Sequence, residues 1–144
     1  MDATELAFID GHEIARLVRS KAISAVEVAR AMLARIDRHG PALNCFITVC
    51  HESALADAAA VDDKIARDID PGPLAGVPLH VKDLVNTRGV RTTFGSFIHE
   101  HNVPPADALS IARLRAAVAG HAGQPDSHHP PEIGWAPRAH CGPP

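Results

Sequence analysis

The sequence holds no tyrosine, one tryptophan and four phenylalanines, so aromatics make up only 3% of its 144 residues. A core must therefore be assembled from Ala, Val, Leu and Ile, with little aromatic bulk. No apolar run reaches the length needed to cross a bilayer, and the start, Met1-Asp2-Ala3-Thr4-Glu5, lacks the basic segment of a secretory leader. A cytoplasmic protein with no membrane partner is the expectation. No excess of basic charge exists either. The formal net charge of -3 argues against direct nucleic-acid binding through a broad basic surface. The three cysteines, Cys45, Cys50 and Cys141, form an odd set, which disfavours a disulfide framework. Cys45 and Cys50 flank the apolar run 46–49 and read as buried structural thiols. No internal repeat is present.

What is there divides near Gly120. Up to that point the pattern predicts α/β material. Asp10 precedes a first helix with Ile14, Leu17 and Val18 as its apolar stripe. Ser24-Ala25-Val26-Glu27 is a capping box, in which hydroxyl and carboxylate satisfy each other's backbone amides. Behind it Val28, Ala29, Met32, Leu33 and Ile36 recur at helical spacing, and His39-Gly40-Pro41 predicts the helix end. Phe46–Val49 reads as a short strand, and residues 51–67 as an Ala-rich helix. Asp70-Pro71-Gly72-Pro73 interrupts, and a strand follows over residues 77–85. Residues 89–93 suggest a turn and another short strand. Asp107 reads as the cap of a last helix with Ile111, Leu114 and Val118 on its apolar face, leaving Arg113 and Arg115 solvated. Residues 120–144 contain half of the twelve prolines and show no period, which predicts an irregular tail. Its histidines 121, 128, 129 and 140, with Cys141, match no compact metal-ligand spacing, so no metal site is assigned there or at His99-Glu100-His101.

The chemically informative run is Gly76-Val77-Pro78-Leu79-His80-Val81-Lys82-Asp83. Strand alternation puts His80, Lys82 and Leu84 on one face and Leu79, Val81 and Asp83 on the other. Two environments are open to Lys82. In a water-poor cleft its amine sheds its proton more readily and can serve as a general base. At the end of an edge strand it simply points into water.

This run resembles the G-x-P-x-x-x-K-D segment of the amidase signature family. Thr92-Thr93-Phe94-Gly95-Ser96 is similar to that family's T-T-x-G-S, and residues 106–117 resemble its next helix. The resemblance covers residues 5 to 117. It implies one part of a mixed sheet flanked by helices, incomplete here: a partial amidase domain over residues 1–119 followed by the tail 120–144. It implies hydrolysis of carboxamide C–N bonds, with no metal or organic cofactor, by a Ser–cis-Ser–Lys triad. Lys82 would be the lysine, with Thr92, Thr93, Gly95 and Ser96 lining the site of a small amide substrate; the alternative, favoured for the two threonines, is that they only satisfy backbone groups of a turn. The two family serines lie in a Gly/Ser-rich stretch that these residues lack. Only Ser96, Ser110 and Ser127 follow Lys82. The chain alone is therefore expected to be inactive, and to associate with itself or with an amidase C-terminal fragment. A degenerate gene product, or a small module pairing through an open sheet edge, are the competing readings. Pro131-Glu132-Ile133-Gly134 again looks like the family's P-E-F-G, while residues 117–124 depart from the family's pattern. An out-of-frame stretch over residues 120–130 is the hypothesis that would account for a mismatch between matching flanks.

Overall fold

The computed structural model describes residues 3–119 and 132–135. Helix α1 spans Ala3–Leu6, α2 Gly11–Arg19 and α3 Ala25–Leu43. Strand β1 (Phe46–Val49), helix α4 (His51–Ala66), strand β2 (Leu79–Lys82), helix α5 (Leu109–Ala119) and strand β3 (Glu132–Trp135) follow. The described residues are thus mostly helical, with one small mixed sheet ordered β1-β3-β2. Strand β3 pairs antiparallel with β1 and parallel with β2.

The helices form because their apolar residues share a face. Ile14 and Val18 of α2, Val28 and Ala29 of α3, and Ala58, Val61 and Ile65 of α4 close into one core with Leu6. A second, smaller cluster joins Leu33, Ile36 and Ala54, against which Phe46 and Val49 of β1 pack. The capping box is present as the sequence implies. The Ser24 hydroxyl accepts from the Glu27 amide at 3.0 Å, and the Ser24 amide donates to the Glu27 carboxylate at 2.8 Å. A longer-range partner completes this terminus. Asp62 of α4 accepts from the amides of Ala25 (2.7 Å) and Val26 (3.1 Å), so one carboxylate both caps α3 and fastens it to α4.

Several expectations are corrected. Helix α3 does not stop at Pro41 but contains it, ending at Asn44 in the left-handed region (φ 48°), whose amide reaches the Gly40 carbonyl. Proline so close to a C-terminus forfeits only one helical hydrogen bond. The strand over 77–85 is shorter, because the chain turns directly after Lys82, where the Val85 amide bonds the Lys82 carbonyl. Residues 89–93 make no strand. Their amides go elsewhere, that of Gly89 to Pro104 and that of Thr92 to Asn102. Cys45 and Cys50 are half-buried free thiols rather than fully buried ones. The tail 120–144 is not irregular throughout, since residues 132–135 supply the central strand. Four residues are too few to show a period, and partners on both sides decide the conformation. The remaining tail residues, with their histidines and Cys141, lie outside the described ones.

The largest correction is Arg115. It lies on the buried face of α5 with Ile111 and Val118, while Leu114 is 38% exposed. Its guanidinium meets the carboxylate of Asp107 at 3.0 Å, and that same carboxylate accepts from the Arg88 amide at 2.7 Å. Asp107 therefore ties a loop to the helix instead of capping it. Asp57 of α4, also buried, faces the same guanidinium. Burial pushes its carboxyl from 3.8 up to about 7, with Arg115 pulling the other way.

This has a pH consequence. The folded state holds the Asp57 proton more tightly than the unfolded chain does, so the group favours folding at low pH. That contribution is full below 3.8 and is lost as pH rises toward about 7. Between pH 5 and pH 8 stability should drop by about 2–3 kcal/mol from this group. Thermal melts of the protein and of Asp57→Asn across this range check it. The variant should show a flatter profile, and parallel profiles would refute the assignment.

Candidate functional site

The site is built from a turn, a strand end and a loop. The turn Leu74–Val77, closed by the Val77 amide on the Leu74 carbonyl, has Gly76 as its third residue at φ +70°. This conformation is what a type II turn requires, and glycine takes it without strain. A Cβ on Gly76 would stand 2.9 Å from Val18 Cγ2 and 3.1 Å from Ala25 Cβ. The turn is therefore pressed into the corner between α2 and α3, which fixes where Pro78 and β2 begin.

From there the alternation expected for the strand holds. Val81 and Asp83 are buried, and His80, Lys82 and Leu84 are exposed. Lys82 thus stands at the open end of β2, not inside a water-poor cleft. The face of β2 that carries His80 and Lys82 is open among the described residues, and the chain turns away directly after Lys82. Part of its surroundings is shaped nonetheless. Lys82 shares the rim of a shallow pocket with Ile47, Val81, Asp83, Arg91 and Thr92. Arg91 crosses it to reach the carbonyls of Ile47 (3.4 Å) and Glu100 (3.5 Å). His80 rests its ring on Phe46, centroids 5.8 Å apart, and desolvation holds its pKa below the ordinary histidine value.

Asp83 does not pair with its neighbour Lys82. It turns inward, 7% exposed, and binds Thr93 twice. The Thr93 amide donates to Oδ1 at 2.7 Å and the Thr93 hydroxyl donates to Oδ2. The Thr93 hydroxyl also accepts from the Gly95 amide at 3.2 Å. One carboxylate thereby locks the end of the Lys82 strand to the Thr92–Ser96 loop. Sequence reasoning misses this clamp, although strand alternation already sends Asp83 inward.

The four loop residues do not act as a unit. Thr92 is buried on the pocket rim, its hydroxyl donating to the Val90 carbonyl at 3.1 Å. Thr93 is committed to Asp83. Gly95 has φ +68° and open space around it, in a bend that follows Phe94 at φ 53°. The Ser96 hydroxyl accepts from the Ile98 amide at 3.3 Å and caps a single 3-10 turn, Phe97–His99. Gly95 and Ser96 lie away from the pocket rim that holds Lys82 and Thr92. Among the described residues no group of His, Cys, Asp or Glu could hold a metal ion, and no helix is long and apolar enough to cross a membrane.

The chain is 45% identical over 120 residues to a glutamyl-tRNA(Gln) amidotransferase subunit of Carboxydothermus hydrogenoformans, covering 83% of the chain and 25% of that protein. A native peptide amidase from Stenotrophomonas maltophilia superposes with TM-score 0.70 at 26% identity, over 90% of the chain and 24% of that structure. A fatty acid amide hydrolase shares the fold, with TM-score 0.76 at 19% identity over 92% of the chain and 21% of its own. The chain thus spans about a quarter of the length of the curated relatives it matches. Because the amidase family pattern matches residues 27–125, which include the Gly76 turn, Lys82, Asp83 and the threonine loop, this chain belongs to the amidase family.

Proposed function

We propose that this chain supplies the lysine quarter of a carboxamide-acting Ser–cis-Ser–Lys site and is catalytically silent by itself. One observation carries the reading: the exposed Lys82 at the end of β2, whose strand is clamped to the threonine loop by Asp83. In such a triad the lysine amine takes the nucleophile's proton through a bridging serine and later returns a proton to the departing amine. A serine hydroxyl attacks a carboxamide poorly until a base removes that proton. The neutral amine this needs is favoured by excluding water, and here Lys82 still faces solvent. Thr92 lines the same small pocket as Lys82, with its hydroxyl committed to the Val90 carbonyl. The relatives' names support a carboxamide substrate: one is part of a glutamyl-tRNA(Gln) amidotransferase, another a peptide amidase.

The purified chain incubated with acetamide, benzamide or glutamine should release no ammonia above the blank. Release that disappears in Lys82→Ala would show that the chain carries a complete site and would overturn the proposal.

A further inference from the structure

One buried cluster joins three parts of the fold. Asp57 of α4 and Arg115 of α5 are each only 8% exposed, and the Asp107 side chain, just before α5, is almost as enclosed. Asp107 uses both of its oxygens. Oδ1 accepts from the Arg88 amide at 2.7 Å, and Oδ2 meets Arg115 Nε at 3.0 Å. Beside it the Ala108 amide donates to the Asn86 carbonyl at 2.8 Å, fastening the same loop. That loop supplies Val85, Thr87, Val90, Arg91 and Thr92 to the pocket that Lys82 lines. Asp57 is the unsatisfied member. Its Oδ2 is shut away from solvent and has no hydrogen-bond partner. A protonated carboxyl tolerates this far better than a carboxylate, whose buried charge needs a partner. Among the described residues Arg115 is the charge that acts on Asp57, and around its guanidinium stand Asp107, Arg88 and the Cys50 thiol. From α3, Leu33 and Ile36 pack against Ala54, one turn before Asp57, while Asp37 is paired with His51 on the exposed side. As it stands the cluster therefore suits a neutral Asp57, with one guanidinium balancing the one carboxylate of Asp107.

We propose that Asp57, Arg115 and Asp107 form a proton-operated latch: on losing its proton to water, Asp57 draws Arg115 away from Asp107 and loosens the loop beside Lys82. Two carboxylates then compete for one guanidinium. Asp107 has the Arg88 amide as a second partner, whereas Asp57 Oδ2 has none, so Asp57 gains more from the exchange. Asp107 keeps its bond to the loop but no longer ties that loop to α5. Burial raises the Asp57 carboxyl to about 7, which places the changeover near neutral pH. The released loop carries Arg91 and Thr92, so the pocket wall next to Lys82 is firm in mild acid and looser in mild base. This device sits in the chain itself and operates whether or not Lys82 serves catalysis.

Nuclear magnetic resonance on the full chain tests the latch. The Arg88 amide and Arg115 Nε–H signals of the folded protein should titrate together with the Asp57 carboxyl, with a midpoint near pH 7. Signals of the folded state are read, so a general loss of stability does not move them. Across the same range, exchange of the Arg88 amide with water should quicken about tenfold beyond its intrinsic rise with pH. In Asp57→Asn, which keeps the shape and stays neutral, both signals should be flat and the extra quickening absent. In Asp107→Asn, Arg115 is no longer shared, and the Asp57 midpoint should fall by about one pH unit. Arg88 and Arg115 signals that ignore the Asp57 titration overturn the latch. So do signals that still titrate in Asp57→Asn, and so does an Asp57 midpoint unmoved in a folded Asp107→Asn protein. The wild-type and Asp57→Asn comparison decides the matter by itself if Asp107→Asn does not fold.

Discussion

Replacing Gly76 with alanine should lower the melting temperature by roughly 10 °C, the largest effect expected of a single methyl group in this protein. Two costs add. An L-residue held at φ +70° loses about 1–2 kcal/mol relative to glycine. The new Cβ must also displace Val18 Cγ2 from 2.9 Å and Ala25 Cβ from 3.1 Å. Both belong to the main core, so the neighbours cannot retreat into solvent, and overpacking of this kind costs about 1–3 kcal/mol. Gly95→Ala is the control. Its φ of +68° is nearly the same, yet its Cβ would meet nothing within 4 Å. Thermal melts of the two variants separate backbone strain from crowding. Equal losses would show that the turn is not wedged between α2 and α3. The consequence reaches the site, because this turn sets the position from which the Lys82 strand departs.

The second large effect is expected at Asp83. Substitution by alanine should cost about 3 kcal/mol, since hydrogen bonds to a carboxylate contribute about 1.5–3 kcal/mol each and the buried Thr93 amide would be stranded. Thr93→Val removes the hydroxyl arm, together with the bond that hydroxyl accepts from the Gly95 amide, and should cost about 2 kcal/mol. Denaturant melts of both single variants and the double should give a coupling of at least about 1 kcal/mol, as contacting residues do. Strict additivity would mean the clamp is not a unit. If it is, Asp83 acts on Lys82 by holding the strand end to the threonine loop, not through a direct charge pair.

Much of this fold is legible in the residues themselves, for reasons that differ by element. The Ser24–Glu27 box can be read because capping is local: donor, acceptor and spacing all lie within four residues. The alternation from Leu79 to Asp83 is legible because a strand has a fixed period of two. Lys82 and the threonine loop emerge through resemblance, not through composition. The misreadings share a cause. Residue type sends Arg115 to solvent, although its spacing from Ile111 and Val118 puts it on the buried stripe. Its position is decided by Asp107 and Asp57, which arrive from a loop and another helix. Strand β3 is hidden for the same reason, since a four-residue strand takes its conformation from its neighbours. Asp62 capping a helix from far along the sequence belongs to this class too.

The order β1-β3-β2 also bears on how the protein is made. Phe46 and Leu79 leave the ribosome early, but the strand that separates their segments in the sheet is translated after both. The helical layer of α2, α3 and α4 draws on contacts close in sequence and can assemble during synthesis. The sheet has to wait for Trp135, with a strand-wide gap kept open between β1 and β2 in the nascent chain. Chaperone demand should therefore fall late in translation, when that slot is still vacant and both its walls expose unpaired backbone.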